Sequence, residues 1–158
     1  MKLITVACAA LNQTPIDWDG NARRLQSVLE KARAAQAQVL CLPELAISGY
    51  GCEDLFFSPD VQRTALEVLR GLLPSTKGLI TGFGLPLYIG ADCFNAVAVV
   101  ADGRLAGFVL KQYLAREGLY YEPRWFRAWA KGERTEVRVG TESYVAGDLF
   151  FNVHTSSG

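Results

Sequence analysis

The chain has 158 residues, half of them hydrophobic and a fifth charged, enough to bury roughly 70% of its unfolded surface in one globular domain or a large part of one. Lysine plus arginine and aspartate plus glutamate balance at 16 each, so no net field favours a nucleic acid or an anionic membrane as partner, and a small neutral or zwitterionic substrate fits better. The apolar start breaks at Asn12 and Gln13, too early for a signal peptide, and no apolar run is long enough for a membrane span, which makes the expected location cytoplasmic.

In chain order, Leu3 to Ala10 reads as a strand and Val39 to Leu42 as a second, short and buried. Between them Asp17 or Asp19 caps a helix whose stripe is Ala22, Leu25, Val28, Leu29, Ala32 and Ala35. Strand, helix, strand is a βαβ unit. A second helix takes Ser58 as N-cap and Pro59 at its first position, buries Val61, Ala65, Leu66, Leu69 and Leu72, and ends at Pro74.

Three strands are expected next, Leu79 to Leu85, Phe94 to Ala101 and Arg104 to Leu110. Asp102-Gly103 between the last two predicts a type I′ hairpin turn, which needs positive φ at both central positions. Lys111 therefore stands at a hairpin strand's end. Leu114 to Lys131 mixes aromatics with charges and is neither clean strand nor clean helix, Gly132 to Val145 reads as a polar loop, and Leu149 to Val153 as a last β-like run. His154 carries no expected role, and Ser156-Ser157-Gly158 reads as a turn or an appended tail. No internal repeat or low-complexity tract occurs.

Cys8, Cys41, Cys52 and Cys93 lack C-x-x-C spacing, which argues against a zinc site and a disulfide framework. Cys8, Cys41 and Cys93 are expected as buried, reduced thiols in strands, with Cys52 the open case. No metal site is expected.

Glu44 follows the second strand directly, with Pro43 stiffening the backbone before it. The carboxyl edge of an α/β sheet is where loops diverge and ligands bind. From position alone, Glu44 either works in such a crevice or caps the next turn. The surrounding run LPELAISGYGCEDLFF, Leu42 to Phe57, resembles the glutamate motif of the nitrilase superfamily, and Gly49-Tyr50 with Glu53-Asp54-Leu55 resembles its NAD synthetase branch. KQYLAREGLYYEPRWF, Lys111 to Phe126, resembles the lysine motif of that branch. The resemblance covers nearly the whole chain.

What it implies is an α/β fold, the N-terminal part of a nitrilase-like αββα sandwich with a mixed sheet, supplying a glutaminase domain over residues 1–158 that ends before the family's nucleophilic cysteine. The same resemblance makes Glu44 the general base and later acid, its pKa raised by burial, and Lys111 the cation for the oxyanion. Glu122 would orient Lys111, or in the plainer reading pair with Arg124; Tyr50 and Glu117 match glutamine-pocket positions, and Arg124 is carried over as a supporting residue. Trp125, Phe126 and Trp129 are read as packing or a subunit contact.

The implied partners are L-glutamine and a C-terminal synthetase domain, absent here, which receives the ammonia. The resemblance also implies homo-oligomers, since the family assembles through these domains, and the uncovered apolar sheet face of half a sandwich favours self-association. Glutamine hydrolysis needs no cofactor; ATP and Mg belong to the synthetase domain, which converts nicotinic acid adenine dinucleotide to NAD. Two other readings are a free-standing amidase for another small amide, and a degenerate, inactive fold serving as an assembly module.

Overall fold

The computed structural model describes residues 3–153; His154 and the Ser156 to Gly158 end lie outside the described residues. Strand β1 (Val6–Cys8) leads to helix α1 (Trp18–Ala34) and strand β2 (Val39–Cys41). A 3-10 turn, Glu53–Phe57, precedes helix α2 (Pro59–Leu72), which passes into a second 3-10 turn, Leu73–Thr76, and then strand β3 (Ile80–Ile89). Strands β4 (Asp92–Ala101) and β5 (Arg104–Leu110), a one-turn helix α3 (Glu122–Trp125), and strands β6 (Arg134–Val139) and β7 (Glu142–Gly147) complete the order.

All seven strands join one mixed sheet in the order β1-β2-β3-β4-β5-β7-β6. The pairs β1–β2, β2–β3 and β5–β7 are parallel and the others antiparallel. Parallel neighbours require a crossover, and α1 and α2 supply the first two. Of the two candidate caps, Asp17 caps α1, its Oδ1 accepting from the Gly20 amide at 3.1 Å. Pro59 opens α2 and Ser58 is its N-cap residue without a side-chain capping bond. Asp102 and Gly103 both take positive φ, 50° and 85°, as the turn between β4 and β5 requires.

Alternation along the central strands sorts side chains between two faces. Phe83, Leu85 and Leu87 of β3, Phe94, Ala96, Ala98 and Val100 of β4, and Phe108 and Leu110 of β5 share one core with Leu25 and Leu29 of α1 and Leu69 and Leu72 of α2. The intervening residues, Gly82, Gly84, Asn95, Val97, Val99 and Val109, line a groove of about 620 Å³ on the opposite face. A smaller cluster of Leu45, Cys52, Phe56, Val61, Cys93 and Phe126 supports the loops at one end, where the Phe56 and Phe126 rings lie 4.8 Å apart.

Several expectations are corrected. Gly132 to Val145 is not a loop: β6 and β7 form an antiparallel hairpin with Val139 opposite Glu142. Val137 and Val139 are buried while Glu136 and Arg138 face outward, an alternation concealed by the charges that suit β6, the outermost strand. Leu149 to Val153 forms no strand, and Phe150 is fully exposed. Cys8 and Cys41 are exposed rather than buried; they lie in register on β1, an edge strand, and on β2 beside it. Cys52 and Cys93 are the buried thiols. Ala35, placed on the apolar stripe, is exposed at the C-cap of α1.

Candidate active site

The segment after β2 is held down against β3. The Ile47 amide donates to the Gly84 carbonyl at 3.1 Å, and a Cβ on Gly84 would collide with the Leu45 backbone nitrogen. Only glycine permits this approach. Leu45 itself adopts φ 49°, an uncommon left-handed conformation for a leucine. Buried Asn21 of α1 anchors the same segment, its Nδ2 donating to the Ile47 carbonyl at 3.1 Å and to the Thr14 carbonyl at 2.8 Å. Glu44 thus projects from a tightly constrained backbone at the end of the groove.

Lys111 follows the last residue of β5 and stands on the groove face with Asn95 and Val109. Its Nζ donates to Glu44 Oε1 at 2.6 Å and to Glu122 Oε1 at 2.9 Å. The residues come from positions 44, 111 and 122, so the cluster exists only once the sheet has formed. Glu122 begins α3, its side chain 1% exposed. Its carboxylate also accepts from the Tyr50 hydroxyl at 3.0 Å and from the Ala115 amide at 2.7 Å. A buried carboxylate is tolerable with this many donors, two of its bonds being to a cation or a backbone amide.

The charges are mutually tuned. Partial burial pulls the Lys111 ammonium down, but its hydrogen bonds to Glu44 and Glu122 outweigh that, and its pKa lies above the ordinary lysine value. Burial pushes Glu122 up, and the Lys111, Ala115 and Tyr50 donors more than reverse it, leaving its pKa below the ordinary carboxylate value. Tyr50 is driven upward by desolvation and by the adjacent Glu122 carboxylate. Lys111 is therefore a fixed cation and Glu122 a fixed anion at neutral pH.

The structure brings together Glu44, Lys111, Glu122 and Tyr50. The burial expected at Glu44 is not found: its side chain is 41% exposed at the groove's mouth. Arg124 is elsewhere. It makes a two-pronged pair with Asp54, both bonds 2.8 Å, and Trp125 Nε1 donates to the same carboxylate at 2.9 Å. The Glu122–Arg124 pair offered as the plainer reading does not form, because α3 turns the two side chains to different partners. Those bonds hold Asp54 at a pKa of about 2 and tie α3 to the Glu53–Phe57 turn. Glu117 is exposed and lines a separate groove with Gln112, Arg116 and Tyr120. The aromatic cluster packs internally, Phe126 on Phe56 and Trp129 on Phe94.

Asn95 escaped the sequence reading. It is 3% exposed, and its Nδ2 lies 2.5 Å from Glu44 Oε1 and 3.4 Å from Glu122 Oε1. The available signal was a lone amide within the apolar run Phe94 to Ala101, on the face shared with Lys111. Among the described residues no three His, Cys, Asp or Glu side chains converge as a metal site, and no helix is long and apolar enough to cross a membrane.

Known proteins resemble this chain along most of its length. The chain is 36% identical over 138 residues to the glutamine-dependent NAD(+) synthetase of Arabidopsis thaliana and 36% identical over 140 residues to that of Rattus norvegicus, matches that cover 86% and 87% of this chain but 19% of each relative. It spans about a fifth of the length of these curated relatives. A crystal structure of a glutamine-dependent NAD(+) synthetase from Cytophaga hutchinsonii matches with a TM-score of 0.93 and 42% identity, covering 96% of this chain and 26% of that chain. An amidase from Nesterenkonia sp. has the same fold at a TM-score of 0.67 and 19% identity, covering 89% of this chain and 53% of that one. The Carbon-nitrogen hydrolase profile matches residues 5–158, and the chain, an α/β layer of the nitrilase-like fold, belongs to the carbon-nitrogen hydrolase family.

Proposed function

We propose that this chain supplies the glutamine-hydrolysing site of a glutamine-dependent NAD synthetase. The observation that carries the reading is the Lys111 ammonium held 2.6 Å from Glu44 and 2.9 Å from Glu122 on one face of the sheet. In the reaction, Glu44 takes the proton of a cysteine thiol and the thiolate attacks the side-chain amide carbon of glutamine. Lys111, fixed by Glu122, faces the oxyanion of the tetrahedral intermediate, a stabilisation worth several kcal/mol when the donor is preorganised. Collapse transfers the proton from Glu44 to departing ammonia, and water resolves the thioester to glutamate.

The cysteine belongs, on the family resemblance, after a later strand than those described. None of Cys8, Cys41, Cys52 and Cys93 has the position for it. Burial raises the Cys52 thiol and pushes Cys93 up to about 12, the reverse of what a nucleophile needs. Glutamine binding would draw on the groove beside Lys111, with Tyr50 close by; Glu117 lines the other groove, whose Tyr120 meets the Tyr50 ring at 6.4 Å, and is the candidate for the α-ammonium of a substrate that spans both. Ammonia would pass to a C-terminal synthetase domain that uses ATP and Mg to convert nicotinic acid adenine dinucleotide to NAD, within a homo-oligomer.

Sequence identity favours this reading over a free-standing amidase, since the 36% matches are NAD synthetases and the 19% match to an amidase concerns fold alone. The test is glutamine turnover by the intact protein. Glu44→Gln should lower kcat about 10³-fold, and Lys111→Ala by about 10²–10³-fold. Unchanged turnover in either variant removes that residue from the mechanism.

A further inference from the structure

The two oxygens of Glu44 are not equivalent. Oε1 receives both Lys111 Nζ at 2.6 Å and Asn95 Nδ2 at 2.5 Å, whereas among the described residues no hydrogen bond reaches Oε2. We propose that Asn95 is a positioning residue that commits Oε1 to this double contact and leaves Oε2 as the atom that carries the proton; the proposal rests on the amidase reading above.

A carboxylate oxygen offers about two lone-pair directions, and both at Oε1 are filled. A proton arriving at Oε1 would have to displace a donor, while Oε2 accepts it without rearrangement. The thiol S–H bond breaks and its proton joins Oε2 as the sulfur electron pair forms the C–S bond. When the C–N bond breaks, the proton leaves Oε2 for the amine nitrogen, which departs as ammonia. Oε1 keeps its two donors throughout, so the carboxylate need not turn between steps.

An amide suits this place better than a second cation. Asn95 holds the carboxylate without adding charge, and another lysine or arginine would favour the ionised form so strongly that Glu44 became a poor base. The amide is itself restrained. It is buried, its Nδ2 also reaches Glu122 Oε1 at 3.4 Å, and its backbone carbonyl accepts from the Lys111 amide at 2.9 Å. Asn95 therefore registers β4 against Lys111 through its main chain and against Glu44 through its side chain.

The experiment is the pH profile of glutamine kcat/KM for the intact protein, wild type against Asn95→Ala and the isosteric Asn95→Asp. Loss of one hydrogen bond to the ionised carboxylate should move the acid limb upward by about one pH unit in Asn95→Ala. We expect kcat to fall about tenfold with KM within about twofold, the pattern of an interaction needed in the chemical step. Asn95→Asp preserves the packing volume and sets a third carboxyl beside Glu44 and Glu122, so its acid limb should move the same way.

A residue that merely packs would reduce the active fraction and leave the midpoint where it was; an unmoved acid limb in both variants overturns the proposal. A second readout is independent of turnover. The carbon-13 carboxyl signal of Glu44, identified by its loss in Glu44→Gln, should titrate at higher pH in Asn95→Ala than in wild type, and an identical midpoint is again refuting. A wild-type protein without glutamine turnover at any pH would instead defeat the amidase reading, leaving the carbon-13 titration to judge the Asn95–Glu44 contact.

Discussion

Glu122→Gln conserves volume and removes one charge from the centre of the cluster. Glutamine has one oxygen where glutamate has two. If that oxygen faces Lys111 and Tyr50, the new amino group points at the Ala115 N–H; if it faces Ala115, the amino group points at Lys111. Either orientation opposes donor to donor. Neutralising one partner of a buried pair typically costs about 3–5 kcal/mol. Lys111 is 28% exposed and keeps Glu44 at 2.6 Å, so it retains water and one carboxylate. That puts the expected loss at the lower end, about 3 kcal/mol, or roughly 6–12 °C in Tm for a domain of this size.

The pH dependence follows from the folded pKa of Glu122 lying below its ordinary value of 4.5. The native state binds fewer protons than the unfolded state, so this contribution is complete above the unfolded value and is lost as pH falls through the folded one. Urea unfolding of the intact protein and its Glu122→Gln variant, repeated from pH 7 toward pH 4, should show a gap that narrows in acid. A loss below about 1 kcal/mol at pH 7, or a gap that widens on acidification, would refute the reasoning.

Gly84→Ala should cost about 1–3 kcal/mol, because its Cβ meets the Leu45 backbone nitrogen, which cannot yield as a side chain does. It should also lower glutamine turnover by roughly a hundredfold through displacement of Glu44; Gly82→Ala, whose Cβ meets only the Val97 side chain, is the control and should be milder in both assays. Thiol labelling of the folded chain at pH 7.0 should be prompt at exposed Cys8 and Cys41 and withheld from buried Cys52 and Cys93 until urea is added; prompt reaction at Cys93 would contradict the packing beneath α3.

Much of the chain was legible because its signals are local. Asp17 before the stripe of α1, Pro59 at the start of α2 and Asp102-Gly103 between β4 and β5 each specify backbone geometry within a few residues, and each element formed where expected. The hairpin of β6 and β7 was missed for the converse reason. Glu136 and Arg138 reflect an outermost strand, and which strand is outermost depends on sheet order, to which local sequence is blind.

The candidate site divides along the same line. Strand-end position drew notice to Glu44, and motif resemblance singled out Glu44, Lys111, Glu122 and Tyr50, because the residue types this chemistry requires stand in recognisable local runs. Asn95 was invisible. A single amide in an apolar strand has no local meaning until β4 sets it beside Glu44, Lys111 and Glu122, side chains from three other segments. Arg124 shows the reverse: a motif match drew it toward the site, and the turn of α3 gave it to Asp54 instead. Sequence determined the elements and the chemical inventory, through propensity and spacing; tertiary structure decided which side chains share a hydrogen bond, because the partners of a bond at 2.6 Å are chosen by sheet register and not by distance along the chain.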